Sequence, residues 1–223
     1  MFDRLLKIIS EEDFNKIKDL NVLIVGIGGV GGYTLETLVR MGVLNITIVD
    51  SDIVDISNLN RQIISLHSNI GEKKVIVAKK RAEDINPDVN INIINKFILE
   101  DNLDILNINN YDYVVDACDT LTTKIALIKK CYLENIKIIS CMGTGNKFHP
   151  ELLSITDIYK TEYDPLAKRL RTILRKEGIK KLKVIASKEK PIKTDSTPGS
   201  TSLVPSVAGI LISSYIINDI LDK

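Results

Sequence analysis

The chain has 223 residues, of which 44% are hydrophobic and 26% charged, and its net charge is +1. That length suits one domain, and the composition supports a real core, which excludes a disordered or low-complexity chain. Three cysteines (Cys118, Cys131 and Cys141) form no CxxC pair, which argues against a zinc clamp or a disulfide framework and for reduced, buried thiols in a cytoplasmic protein.

The first residues, Met-Phe-Asp-Arg, lack the basic-then-apolar build of a signal peptide. Glu11 to Leu20 reads as a short helix with Ser10 as N-cap. Val22 to Gly26 reads as a buried strand, Val30 to Met41 as a helix closed by Gly42, and Ile46 to Asp50 as a second buried strand. Glu72 to Asn86 predicts a helix stopped before Pro87. Strands follow at Val89 to Ile94 and Tyr113 to Asp116, then a helix at Leu121 to Glu134 and a strand at Ile136 to Cys141. After these come a strand (Leu152 to Thr156), a basic helix (Pro165 to Lys176), a strand (Leu182 to Ala186) and a polar loop (Lys188 to Ser202). Leu203 to Leu221 is the most apolar stretch, but Pro205, Ser206, Ser213, Ser214, Asn218 and Asp219 interrupt it. It reads as a buried or interface helix rather than a membrane span, for which ~20 apolar residues are expected. The alternation predicts an α/β, Rossmann-like, mostly parallel sheet with helices on both faces, and no linker divides the chain.

Gly26-Ile27-Gly28-Gly29-Val30-Gly31 lies between the first strand and its helix. Glycines there let the backbone turn tightly and approach a phosphate, which the helix N-terminus attracts. Asp50 ends the next strand, where a carboxylate takes ribose hydroxyls. This combination predicts an adenine nucleotide but does not separate NAD from ATP.

The next segment favours ATP. Asp52, Ser57-Asn58-Leu59-Asn60-Arg61-Gln62 and Gly71-Glu72-Lys73-Lys74 follow in order. A triphosphate attacked at its α-phosphate needs cations to offset developing charge, and Arg61 and Lys74 are the natural suppliers. Asp116 and Asp119 sit at the carboxyl end of the Tyr113 to Asp116 strand, where either can hold magnesium with substrate phosphates or simply cap the next helix.

Together, Gly26–Gly31, Asp50, Ser57–Gln62, Gly71–Lys74 and Asp116–Asp119 resemble the ubiquitin-activating-enzyme-like (ThiF/MoeB/HesA) adenylating family. The resemblance implies that Asn58, Arg61 and Lys74 contact ATP, that Asp119 holds Mg2+, and that Arg4 reaches the ATP of a second subunit in a homodimer. The carrier-activating branch usually has two CxxC zinc pairs, absent here. Met142–Lys147, Asp157–Thr161, Asp164–Lys168 and Val204–Gly209 instead resemble the tRNA threonylcarbamoyladenosine dehydratase branch, so the likeness runs nearly the whole chain. That branch implies adenylation of the threonyl carboxylate of a modified adenosine beside the tRNA anticodon, with release of pyrophosphate. A nitrogen of the same group then closes a ring and expels AMP, and accessory sulfur-transfer proteins are implied as partners. The alternatives are adenylation of the C-terminus of a ubiquitin-like sulfur carrier, an NAD-dependent oxidoreductase, and an RNA-binding module that senses nucleotide without turning it over.

Charge placement adds an independent cue. Residues 160–193 hold 12 basic and 4 acidic side chains. Lys168, Arg169, Arg171, Arg175 and Lys176 lie off the apolar face made by Leu166, Leu170, Ile173 and Leu174, and Lys180, Lys181 and Lys183 follow. Such a segment reads as a tRNA backbone surface or as a solvated amphipathic face. The expected polar loop carries no cysteine, which argues against a thioester route through it. Cys141 is expected to serve packing, and His67 and His149 receive no catalytic role.

Overall fold

The computed structural model describes residues 1–194 and 198–223. Residues 195–197, in the middle of the expected polar loop, lie outside the described residues. Seven strands form one sheet in the order β3-β2-β1-β4-β5-β7-β6. They are β1 (Asn21–Val25), β2 (Asn45–Val49), β3 (Asn90–Ile94), β4 (Tyr113–Asp116), β5 (Lys137–Cys141), β6 (Leu153–Asp157) and β7 (Lys183–Ser187). The pairings are parallel except that of β6 with β7. The mostly parallel Rossmann-like sheet expected from the alternation is therefore present. Among the described residues the α-helices are α1 (Glu11–Lys18), α2 (Gly31–Met41), α3 (Lys74–Ile85), α4 (Leu121–Leu133), α5 (Pro165–Lys176) and α6 (Leu203–Ile220).

Strand burial follows from this layout. β1, β2 and β4 are apolar runs covered on both faces, as central parallel strands must be. Helix ends follow local chemistry: Ser10 Oγ accepts from Asp13 N at 3.0 Å, and Gly42 closes α2 with φ +97°. α6 is long and apolar enough to cross a membrane, yet 44% of it is buried within the protein. It packs on α2 so closely that a Cβ at Gly209 would lie 2.4 Å from Val30 O. The helix expected for Leu203 to Leu221 is therefore present, partly buried against α2.

Register decides where the site forms. Val25 of β1 pairs with Val49 of β2 on one side and Asp116 of β4 on the other. The next residues, Gly26, Asp50 and Ala117, therefore leave the sheet at one level. The chain runs from β1 to β2 on one side and later to β4 on the other, so a crevice opens at this switch point.

Candidate nucleotide-binding site

A cleft of about 370 Å³ occupies that crevice, within the ~300–1,000 Å³ usual for small-molecule sites. Gly26, Gly28, Gly29, Asp50, Asp52, Asn58, Arg61, Gln62, Lys74 and Asp119 all line it. The cationic groups and the outer carboxylate thus converge around the glycine loop.

The glycines divide their work. Gly26 has φ +94°, and a Cβ there would lie 2.8 Å from Ala117 O. A Cβ at Gly31 would sit 1.8 Å from Gly26 O. Gly31 does not line the cleft; it lets α2 close on the loop, a packing role rather than the ligand contact expected for it. Gly31→Ala is expected to wedge the loop from the helix and weaken ATP binding by about tenfold or more. Titration calorimetry checks this, and unchanged affinity would contradict it.

Asp50 is held rigidly. Its Oδ2 accepts from Ile27 N at 2.7 Å and its Oδ1 from Asp52 N at 2.9 Å, so the carboxylate faces the cleft with its backbone bonds already made. Lys74 is buried, and its Nζ donates to Asp52 Oδ2 at 2.8 Å. Arg61 Nη1 donates to Ser57 O at 2.7 Å and Asn60 Oδ1 at 2.9 Å, which are neutral acceptors. Among the described residues no carboxylate neutralises Arg61, so its charge is available to an anion. Asn58 is buried, and its Oδ1 accepts from Asp55 N at 3.1 Å, fixing the turn that presents Arg61. Gln62 is 6% exposed and its Oε1 has no partner. An orphaned acceptor in a cleft wall fits a ligand that donates to it.

The two acids after β4 differ sharply. Asp116 is fully buried and cannot reach a metal in the cleft, which corrects the expectation that either acid could do so. Lys124 Nζ donates to its Oδ1 and Oδ2 at 3.0 and 3.1 Å, Cys118 Sγ donates to Oδ1 at 3.0 Å, and the Ser140 hydroxyl donates to Oδ2. Lys124 is equally buried and also donates to Cys141 O at 2.8 Å. Asp119 is exposed, lines the cleft, and among the described residues accepts only from Thr120 Oγ1, at 3.3 Å. No group of three or more metal-binding side chains occurs among the described residues. A magnesium ion here would therefore need substrate oxygens beside Asp119, and this unpaired acid at a phosphate cleft fits that arrangement.

Cys141 is buried, and burial pushes its thiol up to about 12. It is a packing residue, as expected. Arg4 lies outside the cleft, in an exposed N-terminal turn. The cleft also contains residues not foreseen: Lys96, Phe97 and Ile98 after β3, Thr144 after β5, and Ser200 and Pro205 around the start of α6. Ser200 O accepts from Asn60 Nδ2 at 2.9 Å, which ties the C-terminal segment to the turn carrying Arg61.

On α5, Ala167, Leu170 and Leu174 are buried. Lys168, Arg169, Arg175, Lys176, Lys180 and Lys181 are exposed. Arg171 departs from the expected pattern: its guanidinium turns inward to Thr161 O, at 3.0 Å, and to Thr161 Oγ1.

A switch-point cleft with a glycine loop, a ribose-level carboxylate and cationic side chains defines a nucleotide-binding α/β protein. The ThiF family model matches residues 2–221, and the chain belongs to the ThiF family. It is 40% identical over 232 residues to the tRNA threonylcarbamoyladenosine dehydratase of Bacillus subtilis (strain 168), covering 96% of this chain and 91% of that protein. The E. coli tRNA N6-threonylcarbamoyladenosine dehydratase in complex with ATP superposes with a TM-score of 0.94 at 30% identity, covering 100% of this chain and 94% of that one. The same enzyme in complex with AMP gives a TM-score of 0.92 at 30% identity, covering 98% and 92%.

Proposed function

We propose that this protein catalyses the ATP-dependent dehydration of N6-threonylcarbamoyladenosine in tRNA, through adenylation of the threonyl carboxylate. The observation that carries this reading is the convergence of Arg61, Lys74 and Asp119 on the glycine-loop cleft. The end-to-end likeness to dehydratases, including residues after β5, favours this branch over carrier activation.

The chemistry follows from the groups present. A carboxylate is a poor electrophile, and transfer of AMP to it supplies a good leaving group. The glycine loop and the start of α2 seat the phosphates, and Asp50 takes the ribose. Arg61, free of any carboxylate, offsets charge that grows on the α-phosphate as the substrate carboxylate attacks and pyrophosphate leaves. Lys74 is placed to add to that field, with Asp52 orienting its ammonium. Magnesium held by Asp119 and the substrate phosphates would contribute further charge neutralisation. Ring closure by a nitrogen of the same modified base then expels AMP, and proximity alone makes that step fast. The exposed cations of α5 and Lys180–Lys181 supply a surface for the tRNA backbone, and a second copy of the chain supplies Arg4.

AMP formation tests the reading. Modified tRNA is expected to drive ATP turnover to AMP, whereas a carrier protein ending in Gly-Gly is not. Asp119→Ala is expected to lower that turnover about 10²-fold. Turnover driven by the carrier and indifferent to tRNA would overturn the assignment.

A further inference from the structure

The turn between β6 and α5 holds its backbone in an unusual state. Tyr163 has φ +52°, a region that a bulky side chain rarely adopts, and the residue is 60% exposed. Tyr111, Tyr113 and Tyr159 behave differently, each committing its hydroxyl to an internal partner. A ring held outward on a left-handed backbone persists only where its neighbours over-determine the turn.

Asp164 does so. Its side chain is 1% exposed and joins the start of α5 to the segment after β5. Oδ1 accepts from Ala167 N at 2.9 Å, capping α5. Oδ2 accepts from Gly143 N at 2.9 Å and from the equally buried Lys147 Nζ at 3.4 Å, while Lys147 Nζ donates to Gly143 O at 2.6 Å. Gly143 immediately precedes Thr144, which lines the cleft. Tyr163 therefore directly precedes the residue that bonds the cleft-wall segment to the first turn of the basic helix, and Lys168 and Arg169, both exposed, follow in the same helix. Glu162 is the one free acid on this turn, since Lys147 neutralises Asp164.

An exposed aromatic ring on a constrained turn that leads into a helix bearing backbone-binding cations is an arrangement by which proteins hold unpaired RNA bases. We propose that Tyr163 is a substrate-binding residue whose ring stacks on an unpaired base next to the modified adenosine. This rests on the tRNA reading above. It assigns to Tyr163 the task of splaying the loop so that the modified base enters the cleft past Thr144.

Steady-state kinetics with modified tRNA and ATP test this directly. Y163A is expected to raise KM for tRNA about tenfold, the usual consequence of losing one stacked base, with ATP affinity unchanged. Y163F is expected to stay within about twofold of the parent, since the ring and not the hydroxyl stacks. Y163G, which relaxes the backbone but also lacks the ring, is expected to behave as Y163A does. Parental KM in Y163A or Y163G would overturn the inference. So would a loss of activity in Y163A that tracks dissociation of a protein assembly in sedimentation, which would assign the ring to a protein interface. Absence of tRNA-driven turnover in the parent protein would instead sink the tRNA reading itself, and the two failures are told apart by that control.

Discussion

Replacing Arg61 by alanine is expected to lower tRNA-dependent AMP formation by about 10²–10³-fold, the usual cost of removing one pre-oriented charge-stabilising donor. The fold should survive, because Arg61 is only half-buried and its internal bonds go to Ser57 O and Asn60 Oδ1 on the same turn. The loss should appear in kcat more than in KM for ATP, since the charge it offsets grows during attack on the α-phosphate. Arg61→Lys should recover only part of the activity, because a point charge cannot keep both the turn contacts and the phosphate geometry. Rapid-quench measurement of AMP under saturating ATP checks this. An alanine variant with parental kcat would remove Arg61 from the chemistry.

Lys124→Met is expected to act on stability rather than on the cleft. The ion pair with Asp116 is sealed, the two side chains being 1% and 0% exposed. Removing one partner of such a pair leaves a buried charge and costs about 3–5 kcal/mol, which lowers Tm by about 10 °C in a protein of this size. Burial alone pulls the Lys124 ammonium down, but Asp116 and the neighbouring thiols outweigh it, so its pKa is raised. A raised lysine stabilises fully below its unfolded pKa and loses that contribution only as pH climbs through the folded value. The part of the Lys124→Met deficit that comes from the lysine should therefore hold from neutral pH up to the ordinary lysine range. The double variant D116N/K124M should regain most of the loss, since no unpaired charge remains. Denaturant unfolding of the three proteins measures it, and a double variant no better than the single would contradict the pairing argument.

The cleft was legible in the sequence to the extent that its parts are local. Gly26–Gly31 follows a strand and opens a helix, and Asp50 ends the adjacent strand, so register alone brings them together. Arg61 and Lys74 could be named because a triphosphate in this cleft calls for cations between the two nucleotide-binding elements, although the structure pairs Lys74 with Asp52 and leaves only Arg61 without a carboxylate among the described residues. The residues alone could not separate Asp116 from Asp119, because burial distinguishes them and three residues of sequence do not; only the family resemblance singled out Asp119. A cue existed: Lys124 falls on the apolar face of α4, among Leu127, Ile128 and Cys131, and a lysine there demands a buried acid. Thr144, Ser200 and Pro205 reach the cleft only through tertiary packing. β6 pairs antiparallel with β7 across the intervening α5, a connection that strand periodicity does not reveal. Arg171 has the spacing of a surface cation, yet Thr161 turns it inward.

Everything proposed for the reaction requires that ATP bound in this cleft activates a carboxylate carried by tRNA. Modified tRNA incubated with the protein and ATP, then digested to nucleosides and weighed by mass spectrometry, examines this in one step. A modified adenosine lighter by one water, formed in amounts matching the AMP released, is the predicted result. Nucleosides of unchanged mass despite full occupancy of the cleft by ATP would contradict it.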